Sequence, residues 1–414
     1  MVVASRRPLR VLLPLVGLTA AALALGGCSS SGQTPAASPT SFDGVDLTVW
    51  NNIDFEPYQG LQKQYFESCA KDLGITVKVE TVTGGYSSKL LQAASSKSLP
   101  DVMMLSSDID VPTLASQGVL ADLGKLGLST EGMDAKVAAL GTQDGTLYGL
   151  PVQVEVYALF YNQAAFDKAG VDSFPTTFDG VADLAAKMSG GGDYGMVLPG
   201  LSGDGSTAAY FLPLLLSAGG DPSDPTGAGA VAAVDFYKKL VDGGGMSKEF
   251  VNWGWDSIDQ WKGGKAAITV SGPWNLVDTS LKPYGTAPLP TVAEGDKPVA
   301  NLLGYNYGVA VQSDPKREQA AAALISCRAS EANQVEMAEK GGYIPALTAA
   351  QKTFVEKVPA AASFVDAVPN SFNAATLGTK WNTLQQVYVD AIQNATTHGV
   401  SAADALAQAV AANQ

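Results

Sequence analysis

The residue types most often used in catalysis are scarce in this sequence. His398 is the only histidine among 414 residues, which excludes most histidine-dependent catalytic triads and histidine-rich metal sites. After the signal-like amino terminus only Arg317 and Arg328 remain as arginines, and this argues against a phosphate ligand. The glycine-rich segment 199–206 lacks the lysine and the spacing of a phosphate-binding loop. The sequence therefore favours a binding protein over an enzyme, and it predicts neither a cofactor nor a metal site.

The polar side chains best placed to bind a ligand stand just after two predicted strands. The strands are 45–50 and 101–105, and the candidate residues after them are Asn52, Asp54, Ser107 and Asp108. Ligands of α/β proteins bind beyond the carboxyl ends of the strands, so we expect these residues to face a ligand. Asn52 and Asp54 could instead cap a helix that starts at Pro57. Trp255 lies in an aromatic loop at 253–256, either as a stacking surface or as packing.

The elements that must position these residues alternate between strand-like and helix-like stretches. Apolar residues recur with strand spacing at 45–50 and 75–79, and with helical spacing at 58–73 and 87–94. The later predicted elements are a strand at 306–311 and helices at 315–340, 374–395 and 401–412. This order predicts an α/β fold with a parallel, doubly wound sheet covered by helices.

Length and charge narrow the class of protein further. With 414 residues, of which 46% are hydrophobic and 16% charged, the chain is long enough for two domains and too apolar to be mainly disordered. The formal net charge is −14, and the only charged residues before position 28 are arginines, so the remainder is more acidic still. An acidic surface repels phosphate backbones, so nucleic acid is excluded as a partner.

Residues 1–27 are typical of an export signal. A basic stretch at 5–10 precedes an apolar run at 11–25 that is too short to span a membrane. The motif LGGC at 25–28 resembles a bacterial lipobox, which implies that Cys28 receives a lipid and becomes the new amino terminus. The alternative is a secretory signal with an incidental cysteine. Residues 28–43 are expected to form a flexible tether, which would hold the protein by its lipid at the outer face of the cell membrane.

A long segment and several shorter motifs resemble one protein family. Residues 145–170 read GTLYGLPVQVEVYALFYNQAAFDKAG, and FPTTF follows at 174–178. Shorter motifs at intervals are LPDV at 99–102, LASQGVL at 114–120, WKGGKAAI at 261–268, GPW at 272–274 and GYIP at 342–345. Together they resemble the family 1 extracellular solute-binding proteins, the receptors of ATP-driven sugar importers, of which maltose-binding protein is the type. The resemblance covers about residues 45–412.

The resemblance implies a two-lobed, periplasmic-binding-protein-like fold. Each lobe would be a doubly wound sheet with helices on both faces. Projected onto this sequence, the first lobe contains residues 44–152 and 305–342, and the second contains residues 153–304 and 343–414. The ligand would lie between the lobes and be enclosed by a hinge motion.

The resemblance also implies which residues hold a sugar. Sugars present apolar C–H faces and hydroxyl groups, so their receptors need aromatic rings together with carboxylates and amides. The resemblance places a stacking tryptophan at Trp274, for which burial in a core is the alternative. It matches Glu155 to a glutamate that faces the sugar. The other positions implied as ligand-facing are Tyr86, Asp204, Tyr305, Tyr343 and Trp381.

The family layout also gives a pairing for two cysteines. With Cys28 assigned to the lipid, Cys69 and Cys327 remain, and the layout puts both of their helices in the first lobe. A disulfide between them is expected in an exported protein, and two buried thiols are the alternative.

The implied function is that of a lipid-anchored receptor. It would capture a sugar, expected to be an oligosaccharide, and deliver it to the permease subunits of an ABC importer. We expect the receptor to be a monomer and not an enzyme. Two alternatives stay open: the same fold with a polyamine, a peptide or a polyol phosphate as its ligand, and a secreted glycosidase that would need two paired carboxylates such as Glu155 and Asp204.

Overall fold

The globular body begins at the end of the expected tether. The computed structural model describes residues 41–278, 283–377 and 380–413, so the signal peptide, Cys28 and the tether up to residue 40 lie outside the described residues. The expected tether boundary at residue 43 is too late. Phe42 is 3% exposed, and its amide donates to the Leu73 carbonyl at 3.0 Å. Burial of an aromatic side chain stabilises the body, so Phe42 belongs to the folded body.

The described residues form strands and helices in alternation. The strands are β1 (Val45–Asn51), β2 (Ile75–Thr81), β3 (Val102–Ser106), β4 (Thr142–Gln143), β5 (Thr146–Leu147), β6 (Leu150–Glu155), β7 (Ala158–Asn162), β8 (Tyr194–Val197), β9 (Ala266–Ser271), β10 (Tyr284–Ala287), β11 (Ala300–Val309), β12 (Ile344–Pro345) and β13 (Ser371–Asn373). The helices are α1 (Tyr58–Leu73), α2 (Tyr86–Ser95), α3 (Asp110–Ser116), α4 (Ala135–Ala138), α5 (Gln163–Ala169), α6 (Phe178–Met188), α7 (Ser206–Ser217), α8 (Ala228–Asp242), α9 (Ile258–Lys262), α10 (Pro315–Arg328), α11 (Glu331–Gly341), α12 (Thr348–Lys357), α13 (Ala362–Val365), α14 (Lys380–Thr397) and α15 (Ala402–Ala412). The predicted α/β class is confirmed.

The large sheet has the strand order β2-β1-β3-β11-β6-β12, and the start of β11 also pairs with β13. β1 is parallel to β2 and β3, as predicted for the β-α-β-α-β segment. β11 is antiparallel to both β3 and β6, so β6 runs in the same direction as β3. The carboxyl ends of β1, β3 and β6 therefore meet at one edge of the large sheet, where a ligand site is expected.

The small sheet has the order β10-β7-β9-β8 and forms the centre of the second lobe. The chain passes from the large to the small sheet at residues 156–157, between β6 and β7, and it returns along β11. The predicted second lobe begins at residue 153, but β6 stays in the large sheet to Glu155. It also includes residues from 343 onward, but β12 pairs with β6 in the large sheet. The fold is two-lobed. The exact lobe boundaries stay a prediction; β6 and β12 belong to the large sheet.

Local sequence explains the helix that supports the site. The buried residues of α1 recur at helical spacing and include Tyr58, Gln62, Phe66 and Cys69. The helix ends at Gly74, whose backbone has φ +71°, a left-handed conformation that glycine adopts at little cost. Cys69 of α1 is joined to Cys327 of α10 by a disulfide. In the described part of the chain, no helix has the length and apolarity that a membrane crossing requires.

Candidate ligand-binding site

The site is built on the edge of the large sheet that faces the second lobe. Glu155 is the last residue of β6 and lies opposite Leu303 of β11. Tyr305 of the same strand lies opposite Ser106, the last residue of β3. Asp108 follows two residues later, and Asn52 follows the end of β1. Residues far apart in sequence therefore reach one edge, because β1, β3 and β6 end there and the antiparallel strand β11 passes it.

Glu155 is a buried carboxyl group surrounded by tyrosines. Its residue is 8% exposed, and burial, with the negative charge of Asp108 as the second cause, raises its pKa to about 8. Burial also raises the pKa values of Tyr157, Tyr305 and Tyr343, and the charge of Glu155 adds to each. No hydrogen bond or ion pair joins the Glu155 carboxylate to another described residue. The carboxyl oxygens of Glu155 therefore lie among aromatic rings and accept no hydrogen bond from the described part of the chain.

A continuous series of rings runs from the first lobe to the second. We call it the aromatic path, and its members are Phe55, Tyr58, Tyr343, Trp274, Tyr157, Tyr210 and Trp255. The successive centroid distances along it are 6.0, 5.2, 6.2, 5.8, 5.3 and 6.0 Å. Tyr305 joins it from the side, 6.1 Å from Tyr343. Such spacing is typical of edge-to-face and tilted aromatic contacts, which hold each ring in a defined orientation.

The two ends of the aromatic path are exposed, whereas its four interior tyrosines are buried and its interior tryptophan is half-buried. Phe55 is 42% and Trp255 is 49% exposed, which is unusual for large apolar side chains. The indole N–H of Trp255 donates to the Asp204 carbonyl at 3.1 Å. The carboxylate of Asp204 accepts from the Ser206 amide at 2.9 Å, at the start of α7. Asp204 therefore orients Trp255 through its backbone, and its own side chain is engaged with a helix terminus.

Trp274 stands where the two lobes meet. It follows Gly272, and a Cβ atom at Gly272 would lie 1.9 Å from the indole ring, so only glycine lets the ring pack here. Trp274 is half-buried and contacts the apolar cores of both lobes. Gly342 has φ +82°, and a Cβ atom there would lie 2.5 Å from the Pro273 carbonyl oxygen. The packing of the indole therefore depends on Gly272, and the close approach of the chain after α11 to Pro273 depends on Gly342.

Some of the residues expected to face a ligand have other partners. The hydroxyl of Tyr86 donates to the Trp50 carbonyl at 3.2 Å, and the Ser107 hydroxyl accepts from the Gly304 amide at 3.1 Å. The ring of Trp381 lies 6.1 Å from Tyr388, against the second-lobe core and apart from the aromatic path.

The alternative role of Asn52 and Asp54 as helix caps is not observed. Pro57 is the N-cap of α1, and the side chain that accepts from a first-turn amide is that of Glu56, which accepts from Gly60 at 3.1 Å. Asp54 is exposed, whereas Asn52 is half-buried and its side-chain oxygen has no partner among the described residues.

Several residues of the site were not anticipated from the sequence. They are Phe55, Tyr58, Gln153, Tyr157 and Tyr210. Strand alternation could have indicated two of them, because Gln153 and Tyr157 flank Glu155 at a spacing of two. Nothing in the apolar helix α7 distinguishes Tyr210 from its core neighbours. Among the residues described, no group of three or more His, Cys, Asp or Glu side chains is placed to hold a metal ion.

Comparison with known proteins agrees with this architecture. A family model described as bacterial extracellular solute-binding protein matches residues 64–363. The maltodextrin-binding protein MdxE of Bacillus subtilis is 28% identical over 410 residues, 93% of each chain. A maltooligosaccharide ABC transporter solute-binding lipoprotein of Streptococcus pneumoniae is 26% identical over 352 residues, 81% of this chain and 80% of that one. The GacH receptor of Streptomyces glaucescens, solved unliganded and with acarbose, has a TM-score of 0.74 at 26% identity, covering 89% and 97% of the chains.

Proposed function

The chain belongs to the bacterial extracellular solute-binding proteins, and from this premise we propose that it captures an oligosaccharide between its lobes for delivery to an ABC importer. The observation that carries the proposal is the aromatic path, with Glu155 and Asp108 beside it. Rings pack against the C–H faces of sugar residues, and carboxylates accept hydrogen bonds from sugar hydroxyls. A path of several rings offers stacking surfaces to more than one sugar residue.

The proposed ligand-binding residues follow from this geometry. Trp274, Tyr343 and Tyr305 supply rings near the lobe junction, and Glu155 and Asp108 supply acceptors. Asn52, Asp54 and Trp255 complete the proposed set. Tyr86, Ser107, Asp204 and Trp381 stay candidates from the sequence alone, because their side chains have other partners in the structure. The similar proteins named for maltodextrin and maltooligosaccharide make linear α-linked glucose oligomers the first ligands to test.

The experiment that tests the function is a thermal-shift screen followed by calorimetry. The soluble protein from Ser29 onward is incubated with linear and cyclic oligosaccharides, polyamines, peptides and polyol phosphates. A ligand that binds the native state raises the melting temperature by mass action, and we expect the rise with oligosaccharides. Recovery of a labelled oligosaccharide intact separates a receptor from a glycosidase. If no sugar in the screen raises the melting temperature, the proposal is contradicted.

An organic cation is the second candidate ligand. Two carboxyl groups, Glu155 and Asp108, stand among tyrosine rings, and no lysine or arginine of the described chain forms an ion pair with Glu155. Carboxylates and ring faces both attract cations. Stabilisation by polyamines and not by sugars in the same screen favours this candidate.

We propose that the receptor is a monomer held by a lipid on Cys28 at the outer face of the membrane, beside separate permease subunits. The lipobox-like motif and the lipoprotein named among the similar proteins support this placement. Replacement Cys28→Ser removes the thiol that would carry the lipid. We expect the variant in the soluble fraction and the wild type in the membrane fraction of expressing cells. Equal membrane retention of both proteins contradicts the anchor.

A further inference from the structure

A chain of buried hydrogen bonds connects α10 to the ligand site. Arg328 of α10 is 1% exposed, and its Nε–H donates to the side-chain oxygen of Gln62 at 2.8 Å. The amide nitrogen of Gln62 donates to the hydroxyl oxygen of Tyr58, one turn earlier on α1. The Tyr58 hydroxyl in turn donates to the side-chain oxygen of Gln153 on β6. All four side chains are buried, so water does not compete for these bonds.

The direction of this chain is set at Arg328. A guanidinium group has donors and no acceptor, so Gln62 must turn its oxygen toward Arg328 and its NH₂ toward Tyr58. The oxygen of Tyr58 then accepts, and its proton needs an acceptor further on. If the amide of Gln153 were turned round, the buried Tyr58 proton would face another donor. The cation at one end therefore fixes the orientation of the amide at the other.

This orientation leaves one donor unused. The side-chain nitrogen of Gln153 is buried and has no hydrogen-bond partner among the described residues, although the residue is 2% exposed. An unpaired buried donor costs free energy, so such groups normally have a missing partner. Gln153 and Glu155 lie on the same face of β6 because strand residues alternate. A free donor thus stands beside a free acceptor at the edge where the ligand is proposed to bind.

We infer that Gln153 binds the sugar, its NH₂ donating to a hydroxyl next to the Glu155 carboxylate; this inference rests on the proposed function. Arg328, Gln62 and Tyr58 are positioning residues for Gln153. A sugar hydroxyl both accepts and donates, so a donor and an acceptor two residues apart on one strand match it or a neighbouring pair of hydroxyls. Arg328 does not contact the ligand. Through Gln62 and Tyr58 it keeps the NH₂ group of Gln153 turned toward the ligand.

The first test measures maltotriose affinity by calorimetry for Gln153→Met and for the control Gln351→Met. Gln351 is another buried glutamine, and its amide donates to the Pro345 carbonyl at 2.9 Å. Loss of one neutral hydrogen bond predicts a dissociation constant roughly three to ten times higher for Gln153→Met, and no change for Gln351→Met. A folded Gln153→Met protein with wild-type affinity overturns the inference.

The second test reads the direction of the hydrogen bond with monodeoxy and monodeoxyfluoro maltotriose. Fluorine can accept a hydrogen bond and cannot donate one, so at the hydroxyl that Gln153 contacts the fluoro compound should bind the wild type more tightly than the deoxy compound. Gln153→Met should abolish that difference. Arg328→Met should reduce it, whereas Arg328→Lys, which keeps a donor-only cation, should restore part of it. A merely structural Arg328 would change stability and leave the difference intact.

The two proposals fail in different ways. If the wild type binds no oligosaccharide in the screen, the proposed function is overturned and the inference falls with it. If maltotriose binds, but the difference in affinity between each fluoro compound and its deoxy partner is the same for the wild type and for Gln153→Met, only the inference is overturned.

Discussion

Glu155 has opposing effects on stability and on ligand binding. Its carboxyl group is buried among Tyr157, Tyr305 and Tyr343, and burial raises its pKa to about 8. The folded protein therefore binds a proton that the unfolded chain releases near the ordinary value of 4.5. The same isolation keeps the carboxyl oxygens available for a ligand.

We predict that Glu155→Gln makes stability less dependent on pH. Below about pH 4.5 Glu155 is neutral in both states and has no effect. As pH rises toward 8 the wild type loses free energy of unfolding, because the unfolded state gains more from ionisation. The free energy of unfolding of the variant should therefore exceed that of the wild type at pH 9, by an upper bound of about 5 kcal/mol, whereas the two proteins should unfold at similar temperatures near pH 4.5. Melting curves of both proteins at pH 4.5, 7 and 9 measure the difference in stability. A difference that is the same at all three pH values would contradict the prediction.

The same substitution should weaken ligand binding. Above about pH 8, where Glu155 is ionised, glutamine keeps the size of this side chain but lacks its charge, so charge-assisted hydrogen bonds to sugar hydroxyls become neutral ones at pH 9. We expect a loss of about 1–3 kcal/mol in the calorimetric binding free energy. A wild-type constant would mean that the carboxylate faces away from the ligand.

Trp274 is the second residue whose role can be tested directly. Its indole is half-buried between two cores, so Trp274→Ala should reduce ligand affinity by about 2–4 kcal/mol while the fold survives. Trp50→Ala is the control, because Trp50 is another half-buried tryptophan whose indole N–H donates to Glu80 on the neighbouring strand at 2.8 Å. Equal affinity of the two variants would assign Trp274 to packing alone.

At the scale of elements, two helices of the first lobe are held together twice. The disulfide from Cys69 to Cys327 joins α1 to α10, and the hydrogen bond from Arg328 to Gln62 joins them again. The first contact closes a chain segment of 258 residues, and the second orients Tyr58. The positions of α1 and of its aromatic side chains thus depend on a segment that the chain reaches only after crossing the second lobe.

We predict that thiol titration of the unfolded, unreduced protein from Ser29 onward finds no free thiol. Removal of the bridge in Cys69→Ser/Cys327→Ser should lower the free energy of unfolding by about 2–4 kcal/mol, because the unfolded chain regains the conformational freedom of a long loop. Two thiols per chain, or a variant as stable as the wild type, would show that the bridge does not form in solution.

At the scale of the whole molecule, the aromatic path connects the lobes and is exposed at both ends. Phe55 belongs to the loop after β1, and Trp255 belongs to the second lobe. Of the rings between them, Trp274 is half-buried and packs against the cores of both lobes, and the other rings are buried. A ligand longer than the buried part of the path would reach the exposed rings.

We predict that Trp255→Ala weakens binding of longer oligosaccharides selectively. Loss of one stacking surface should cost about 1 kcal/mol with maltotetraose and close to nothing with maltose. Val292→Ala is the control, because Val292 is also an exposed apolar side chain (55%) and lies outside the path. Calorimetry over the series from maltose upward measures the difference; a uniform loss at every length would place Trp255 outside the distal part of the site.

Local patterns determined the elements but not the contacts between distant residues. Apolar spacing predicted α1 at residues 58–73, and the α/β order followed from alternating elements. The motif around Glu155 and the GPW motif indicated the site because each is local in sequence. Only the tertiary structure brought Tyr343 beside Trp274, or connected Arg328 to Gln153, since these contacts depend on strand direction and on helix packing between segments far apart. The antiparallel return of β11 was also undetermined by local pattern, because the strand's own residues are compatible with either direction, and the path of the chain through the second lobe decides it.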